Sequence, residues 1–226
     1  AASLLTGAVG AVSLAGVSPA FRELFGITSE EQAKNLGIVQ MNQVFEDKNG
    51  SGATVTVKEA AADQEQFYIL VEFAAPEGTV LPEPDQVEEG FNRAVLWGGP
   101  DGRGIGFGAY RDESCTSFIG SSEAGYAIDY VEDSDPTDNK MEFIIRGHID
   151  PMPKDAAYCL FSGIQSLCMQ YQGEWVTMLD GMDIDLIVPL VGMGTHYDFQ
   201  GRCGVNLNGV TLAVAENLTI SPISVS

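Results

Sequence analysis

The sequence predicts a mainly β fold, an immunoglobulin-like β-sandwich with short N-terminal helices. Three observations predict it. Val55 and Val57 alternate with Thr54, Thr56 and Lys58, and Phe67, Ile69, Val71 and Phe73 alternate with Tyr68, Leu70 and Glu72. That period of two marks strands with one buried face. Further short apolar runs follow, punctuated by Gly, Pro and Asn, which suits antiparallel sheets better than βαβ units. Beyond Gly37 no long amphipathic helical pattern appears.

Ala1 to Phe21 carries no charge. A membrane-spanning helix needs about 20 predominantly apolar residues. The segment is therefore expected to be the trailing part of a transmembrane helix. Ser13-Leu14-Ala15 also fits the small-x-small end of a signal peptide, and a buried helix is the third reading. Ser18 can N-cap a helix with Pro19 at its first position, and Phe21, Leu24 and Phe25 form an apolar stripe that stops at Gly26. Thr28 and Glu31 fit a capping box for a second short helix ending at Gly37. Residues 1–37 are expected to be an anchor with a juxtamembrane collar, or a lid over the β-domain. Residues 38–200 are expected to form the sandwich. Residues 201–226 would close it or enter a following module.

Within the sandwich, Asp47-Lys48-Asn49-Gly50-Ser51-Gly52 separates the strands Ile38–Phe45 and Ala53–Ala60, and Asn-Gly is a strong hairpin signal. Later strands are expected at Ala94–Trp97, Ile105–Tyr110, Gly125–Tyr130, Met141–Ile149, Cys168–Tyr171, Glu174–Leu179 and Ile184–Leu190. Val205–Leu207, Val210–Ala215 and Leu218–Ser224 complete the set, and a short turn is expected at Ala156–Ser162. Gly102, Gly104, Gly106 and Gly108 recur at spacing two, so in a strand they share one face. Such a face admits close approach by a sheet, an aromatic ring or a ligand.

The charge bounds the function. Of 226 residues, 32 are acidic and 11 are Lys or Arg, a net charge of −21. Phosphate backbones are repelled by such a surface, which excludes nucleic acid as a partner. Glu77 to Glu89 and Glu123 to Asp138 contain no base. His148 and His196 lack a second ligand at zinc spacing, and neither a nucleophile elbow nor a phosphate-binding loop is present. No cofactor and no catalytic residue is expected. Cys115, Cys159, Cys168 and Cys203 are either thiols or form up to two disulfides. A Cys203–His196 nucleophile is formally available. Asp133, Asp135 and Asp138 bring oxygen ligands close together and are the candidate calcium residues, without the full twelve-residue calcium-loop pattern. Trp97, Tyr110, Tyr126, Trp175 and Tyr197 are the candidate binding aromatics. Asn217-Leu218-Thr219 fits a glycosylation sequon.

Several stretches occur in a fixed order after the apolar segment. They are SPAFRELFGI (18–27), ATVTVKEAAADQEQFYILVEFAAPEG (53–78), MEFIIRGHI (141–149), GEWVTMLDGMDIDLIVPL (173–190) and VTLAVAENLTISPISVS (210–226). This order resembles the extracytoplasmic domain-of-unknown-function region of bacterial membrane-anchored anti-sigma-factor-like proteins. Those proteins occur in Gram-positive bacteria, encoded beside extracytoplasmic-function sigma factors. The resemblance implies one membrane helix, an outer β-rich region, and a sigma-factor partner held by a cytoplasmic part outside this sequence. It implies no functional residue. The expected function is a non-catalytic sensory or structural domain on the extracytoplasmic face of the membrane. The alternative is a secreted or surface module that binds glycan or peptide.

Overall fold

The computed structural model describes residues 13–62, 66–85, 94–95, 106–120, 123–131, 135–150, 155–190, 195–207 and 210–220, with backbone only at 94–95, 106–107, 123–125, 148–150 and 195–220. The fold is mainly β, with antiparallel sheets and short helices at the N-terminal end. Two helices, α1 (Pro19–Leu24) and α2 (Glu30–Asn35), precede the strands. Next come β1 (Val39–Glu46), β2 (Thr54–Ala62), β3 (Gln66–Ala74), β4 (Ala94–Val95), β5 (Gly106–Tyr110), β6 (Phe118–Gly120) and β7 (Glu123–Val131). The later strands are β8 (Lys140–Asp150), β9 (Tyr158–Ile164), β10 (Leu167–Tyr171), β11 (Glu174–Leu179), β12 (Ile184–Pro189), β13 (Thr195–Leu207) and β14 (Val210–Ile220).

Strand order in the largest sheet is β1-β2-β3-β8-β7. Against one face lie the sheets β12-β9-β5-β6 and β11-β10-β4. The core between them follows the predicted alternation. Val55, Val57, Phe67, Ile69, Val71 and Phe73 enter it from the large sheet, joined by Phe143 and Ile145 of β8. Phe161 of β9, Met169 of β10 and Leu186 of β12 meet them from the other side. The rings of Phe67 and Phe161 cross the seam edge-to-face, with centroids 5.3 Å apart. β13 runs unbroken through position 200 and pairs with β14 as a separate two-stranded sheet.

The opposite face of the large sheet carries the helices. Val17, Phe21, Ile27, Ala33 and Ile38 form a second buried cluster with Ala61, Leu70 and Ile144 of the sheet. Phe25 bridges the layers, its ring 5.4 Å from Phe21 and 5.0 Å from Tyr68. The helical segment is thus a lid on the sandwich. The apolar character of residues 14–21 is absorbed there, because Val17 and Phe21 are buried and Leu14 and Ala20 pack beside them. Residues 1–12 lie outside the described residues. Among the described residues no helix is long and apolar enough to cross a membrane.

Helix boundaries follow the predicted signals, with one shift. Ser18 caps α1 by accepting from the N–H of Phe21, with Pro19 in the first turn, and Gly26 ends it at φ +61°. The capping box of α2 is Ser29 with Gln32, not Thr28 with Glu31. The Gln32 side chain accepts from Thr28 and Ser29 together, so Thr28 only supplements the cap. Of the segment expected as a turn at Ala156–Ser162, everything from Tyr158 onward is instead strand β9. Its buried Cys159 and Phe161 alternate with half-buried Tyr158, Leu160 and Ser162, but the neighbours are apolar enough to mask the period. Strand β6 and all of β13 before Val205 also lie outside the predicted strands.

Among the described residues the ion pairs lie at or near the surface, with Glu72 the most buried partner. Lys48, Lys58, Arg111, Lys140 and Arg146 each hold one or two carboxylates. Such pairs contribute at most about 1 kcal/mol each and leave a large surplus of negative charge repelling itself. Salt is therefore expected to stabilise the fold. Going from ~0.1 M to ~1 M NaCl shortens the screening length from about 10 Å to about 3 Å. Relief of about 2 kcal/mol would raise Tm by roughly 4–8 °C. Thermal melts across this range check it, and an unchanged or falling Tm counts against it.

Candidate functional site

The most distinctive polar constellation lies where the helices meet the sheet. Its centre is Glu59, a carboxylate only 3% exposed. By strict alternation after Val55 and Val57, Glu59 would face the sandwich core. A register shift between Val57 and Glu59 prevents this. The bulge turns Lys58 and Glu59 to the same, helix-bearing side, the re-aiming that bulges allow. Lys58 then reaches Glu72 at 2.7 Å and also Glu142. Glu59 reaches the start of α1.

Glu59 accepts three hydrogen bonds. The Ser18 N–H donates to Oε1 at 2.7 Å and the Ser18 hydroxyl to Oε2 at 2.8 Å. The Gln40 amide donates to Oε1 at 2.6 Å and also to the carbonyl of Gly16. The Ser18 hydroxyl thereby donates to the sheet while accepting from Phe21 to cap the helix. Gln40 sits directly opposite Glu59 in the β1–β2 ladder. Ala61 follows on the same face, and its small side chain allows the helical layer to approach closely, while Ala60 and Ala62 turn into the sandwich core. A buried carboxylate survives only when its oxygens are satisfied, as here. The arrangement is a latch: it fixes the chain that leads into α1 onto two strands.

A second staple joins the two layers of the sandwich. Asp47, also buried, accepts from the N–H groups of Asn49, Ser51 and Asp183. The Asn49 amide donates to the Gly181 carbonyl at 2.7 Å, and Lys48 pairs with Asp185 at 2.6 Å. The predicted hairpin turn is thus clamped to the loop before β12. Burial pushes the Asp47 carboxyl up, but the bonds from Ser51, Asp183 and Asn49 outweigh it and bring its pKa down to about 2. The folded value lies below that of the unfolded chain. Its stabilisation is therefore present above about pH 4 and lost as pH falls through about 2. Asp47→Asn is expected to cost about 1–2 kcal/mol near neutrality and almost nothing near pH 2. Urea unfolding of both proteins across this range tests it; a pH-independent difference would be the contrary result.

The other predicted residues fall in separate places. Trp97 and Asp133 lie outside the described residues, as do Gly102 and Gly104. Asp135 accepts from the N–H and hydroxyl of Thr137, and Asp138 from the N–H of Lys140, so both shape the turn before β8. Among the described residues no group of three or more His, Cys, Asp or Glu side chains could hold a metal ion. Tyr110 is half-buried and folds over Gly108, where an added Cβ would lie 2.9 Å from the ring. The close approach expected at the glycine face is here an aromatic ring. Tyr110 also meets the exposed Phe118 edge-on at 5.5 Å. Tyr126 on β7 is 39% exposed, and Trp175 on β11 is 54% exposed. Tyr197, His196 and Cys203 lie in β13, where only the backbone is described, and Asn217 likewise in β14.

Cys115 and Cys159 are thiols. Burial pushes Cys159 well above the usual thiol range, which makes it unreactive. Burial and the charge of Asp112 raise Cys115 too. The Sγ of Cys168 lies 3.5 Å from the Thr177 hydroxyl. Asp112 is held well below the usual carboxylate range by the Ser114 hydroxyl, the Thr116 N–H and hydroxyl, and the Ser117 N–H. It orders the loop between β5 and β6.

Fold and latch together define an antiparallel β-sandwich protein with a helical lid on one outer face. No protein-family model matches the chain, and no curated protein matches it. Its structure is similar to a crystal structure of a conserved domain protein from Bacillus anthracis, with a TM-score of 0.56 and 13% sequence identity. The match covers 92% of this chain and 60% of that one, so the chain spans about 60% of the length of that protein. At such identity the likeness shows the fold alone.

Proposed function

We propose that the chain is a non-catalytic extracytoplasmic domain of a single-pass membrane protein, a sensory or structural module joined stiffly to its anchor. The observation that carries this reading is the Glu59 latch. The end of the uncharged N-terminal run is bonded to β1 and β2, Gly16 to Gln40 and Ser18 to Glu59. A tilt or pull arriving at Ser13 would pass into the sheet through Gly16, Val17 and Ser18, which are bonded to it or packed on it. The absence of charge from Ala1 to Val12, ahead of an acidic β body, supports the anchor and sets the body clear of anionic lipid. In the regulatory form of this proposal a cytoplasmic part beyond this sequence holds a sigma factor.

Fractionation of the full-length protein in its own cells tests the reading. The expected result is recovery in the membrane fraction, with the β body open to protease added outside. Recovery in the cytosolic fraction overturns it. Co-purification of a sigma factor with the detergent-solubilised protein tests the narrower form, which is abandoned if none is recovered.

A further inference from the structure

Strand β11 ends its sheet among the described residues, in the order β11-β10-β4. Its hairpin with β10 is held in register by an unusual clamp. Gln172 and Gly173 both take positive φ, 55° and 83°, the backbone of a two-residue type I′ turn. The carboxylate of Asp85 accepts from both of their N–H groups, at 3.0 and 2.7 Å. Tyr171 opposes Glu174 across this turn. By the alternation of an antiparallel ladder, Glu174 and Val176 turn their backbone groups toward β10, whereas Trp175 and Thr177 turn theirs outward.

Among the described residues nothing guards that outward edge from Glu174 to Thr177. Edge strands are normally blunted by Lys, Pro, a bulge or an inward charge. Here Glu174 to Thr177 are all exposed, with Trp175 at 54% and Val176 at 37%, and the register shift comes only after them. No Lys or Arg occurs between Lys154 and Arg202. Glu174 and Asp180, which flank the edge, have no ion pair among the described residues.

We infer that the edge of β11 is a docking site for an extended basic segment of a partner protein, which adds to the sheet as a further strand. The partner's backbone pairs with Trp175 and Thr177, the general mode of strand addition. Its Lys or Arg side chains meet Glu174 and Asp180, and one lies over the Trp175 ring as a cation–π contact. A second copy of the chain is a poor occupant. Two such edges would bring Glu174 and Asp180 against their own kind, between bodies of net charge −21. The inference extends the partner-holding side of the proposed function but does not need the anchor, so fractionation and peptide titration can fail separately.

The probe is a short capped peptide alternating Lys with Val and Thr, titrated calorimetrically into the full chain at ~0.05 M salt, where screening is weak. Saturable binding is expected, with new hydrogen-exchange protection at Trp175 and Thr177. Thr177→Pro removes an outward N–H and leaves the β10 ladder intact, so it should fold and bind at least tenfold more weakly. Trp175→Lys guards the edge by charge and should do the same; it decides the matter if Thr177→Pro melts early. Methylating alternate backbone nitrogens of the peptide, or replacing its Lys by Glu, should abolish binding. Equal binding by the methylated peptide, or by both variants, overturns the proposal in favour of bulk charge attraction. A concentration-dependent dimer of the chain that Thr177→Pro abolishes overturns it in favour of self-pairing.

Discussion

Glu59→Ala is expected to release the helical lid while the sandwich stays folded. The substitution removes the acceptor for the Ser18 N–H, the Ser18 hydroxyl and the Gln40 amide. Buried donors left unsatisfied cost about 1–3 kcal/mol each. Some regain water as the lid loosens, so the helical layer should lose about 3–5 kcal/mol of local stability. Phe21, Ile27 and Ile38 alone cannot hold two helices of six residues, which are far too short to persist in isolation. Hydrogen exchange should show protection lost across residues 13–38 and retained in β3 and β8. Glu59→Gln keeps the shape but turns one donor toward donors, and should fall between. Lid amides as protected as those of the unmodified chain would show that the apolar contacts alone suffice. The same variant bears on the proposed function, because a loosened lid removes the stiff path between the N-terminal segment and the sheet.

How far this was legible in the sequence follows from which interactions are local. The N-cap Ser18, the stops at Gly26 and Gly37, and the turn at Asn49-Gly50 are set by neighbours along the chain, and the structure places them where the sequence does. The core face of β3, and that of β2 as far as Val57, also follow directly from alternation. The latch was not legible, because a single bulge at Lys58–Glu59 reverses the side on which Glu59 emerges, and no local signal marks it. The nearest hint is Ala61, whose small side chain on the lid-facing side suits close approach by the helices. The exposure of Trp175 was equally hidden. EWVTML reads as a strand, but its place at a sheet edge depends on pairing with β10 and on β10 pairing with β4. Tyr110, Tyr126, Trp175 and Tyr197, grouped together by residue type, are dispersed over four sheets, because side-chain chemistry says nothing of strand order. The −21 charge is distributed evenly enough that it marks a solvated surface and leaves the clusters at Glu59 and Asp47 invisible.

Phe161→Ala should act on the whole molecule where Glu59→Ala acts on one layer. Phe161 is fully buried at the seam, where its ring meets that of Phe67 from the facing sheet. Truncation forfeits the burial of a large ring and leaves a cavity that rigid strands on both sides cannot close, a cost of about 3–5 kcal/mol. The large sheet is common to both cores, since β2, β3 and β8 carry seam residues on one face and lid-facing residues on the other. Weakening the seam therefore withdraws the platform on which the helices rest. Lid and sandwich should melt together at a lowered midpoint, by circular dichroism and by exchange alike. Phe118→Ala is the matched control, because that ring is 57% exposed on β6 and its loss should cost about 0.5 kcal/mol or less. If Phe161→Ala instead lost the sandwich while α1 and α2 kept their protection, the helices would not depend on the sheet. The mechanical coupling in the proposed function would then have no physical basis.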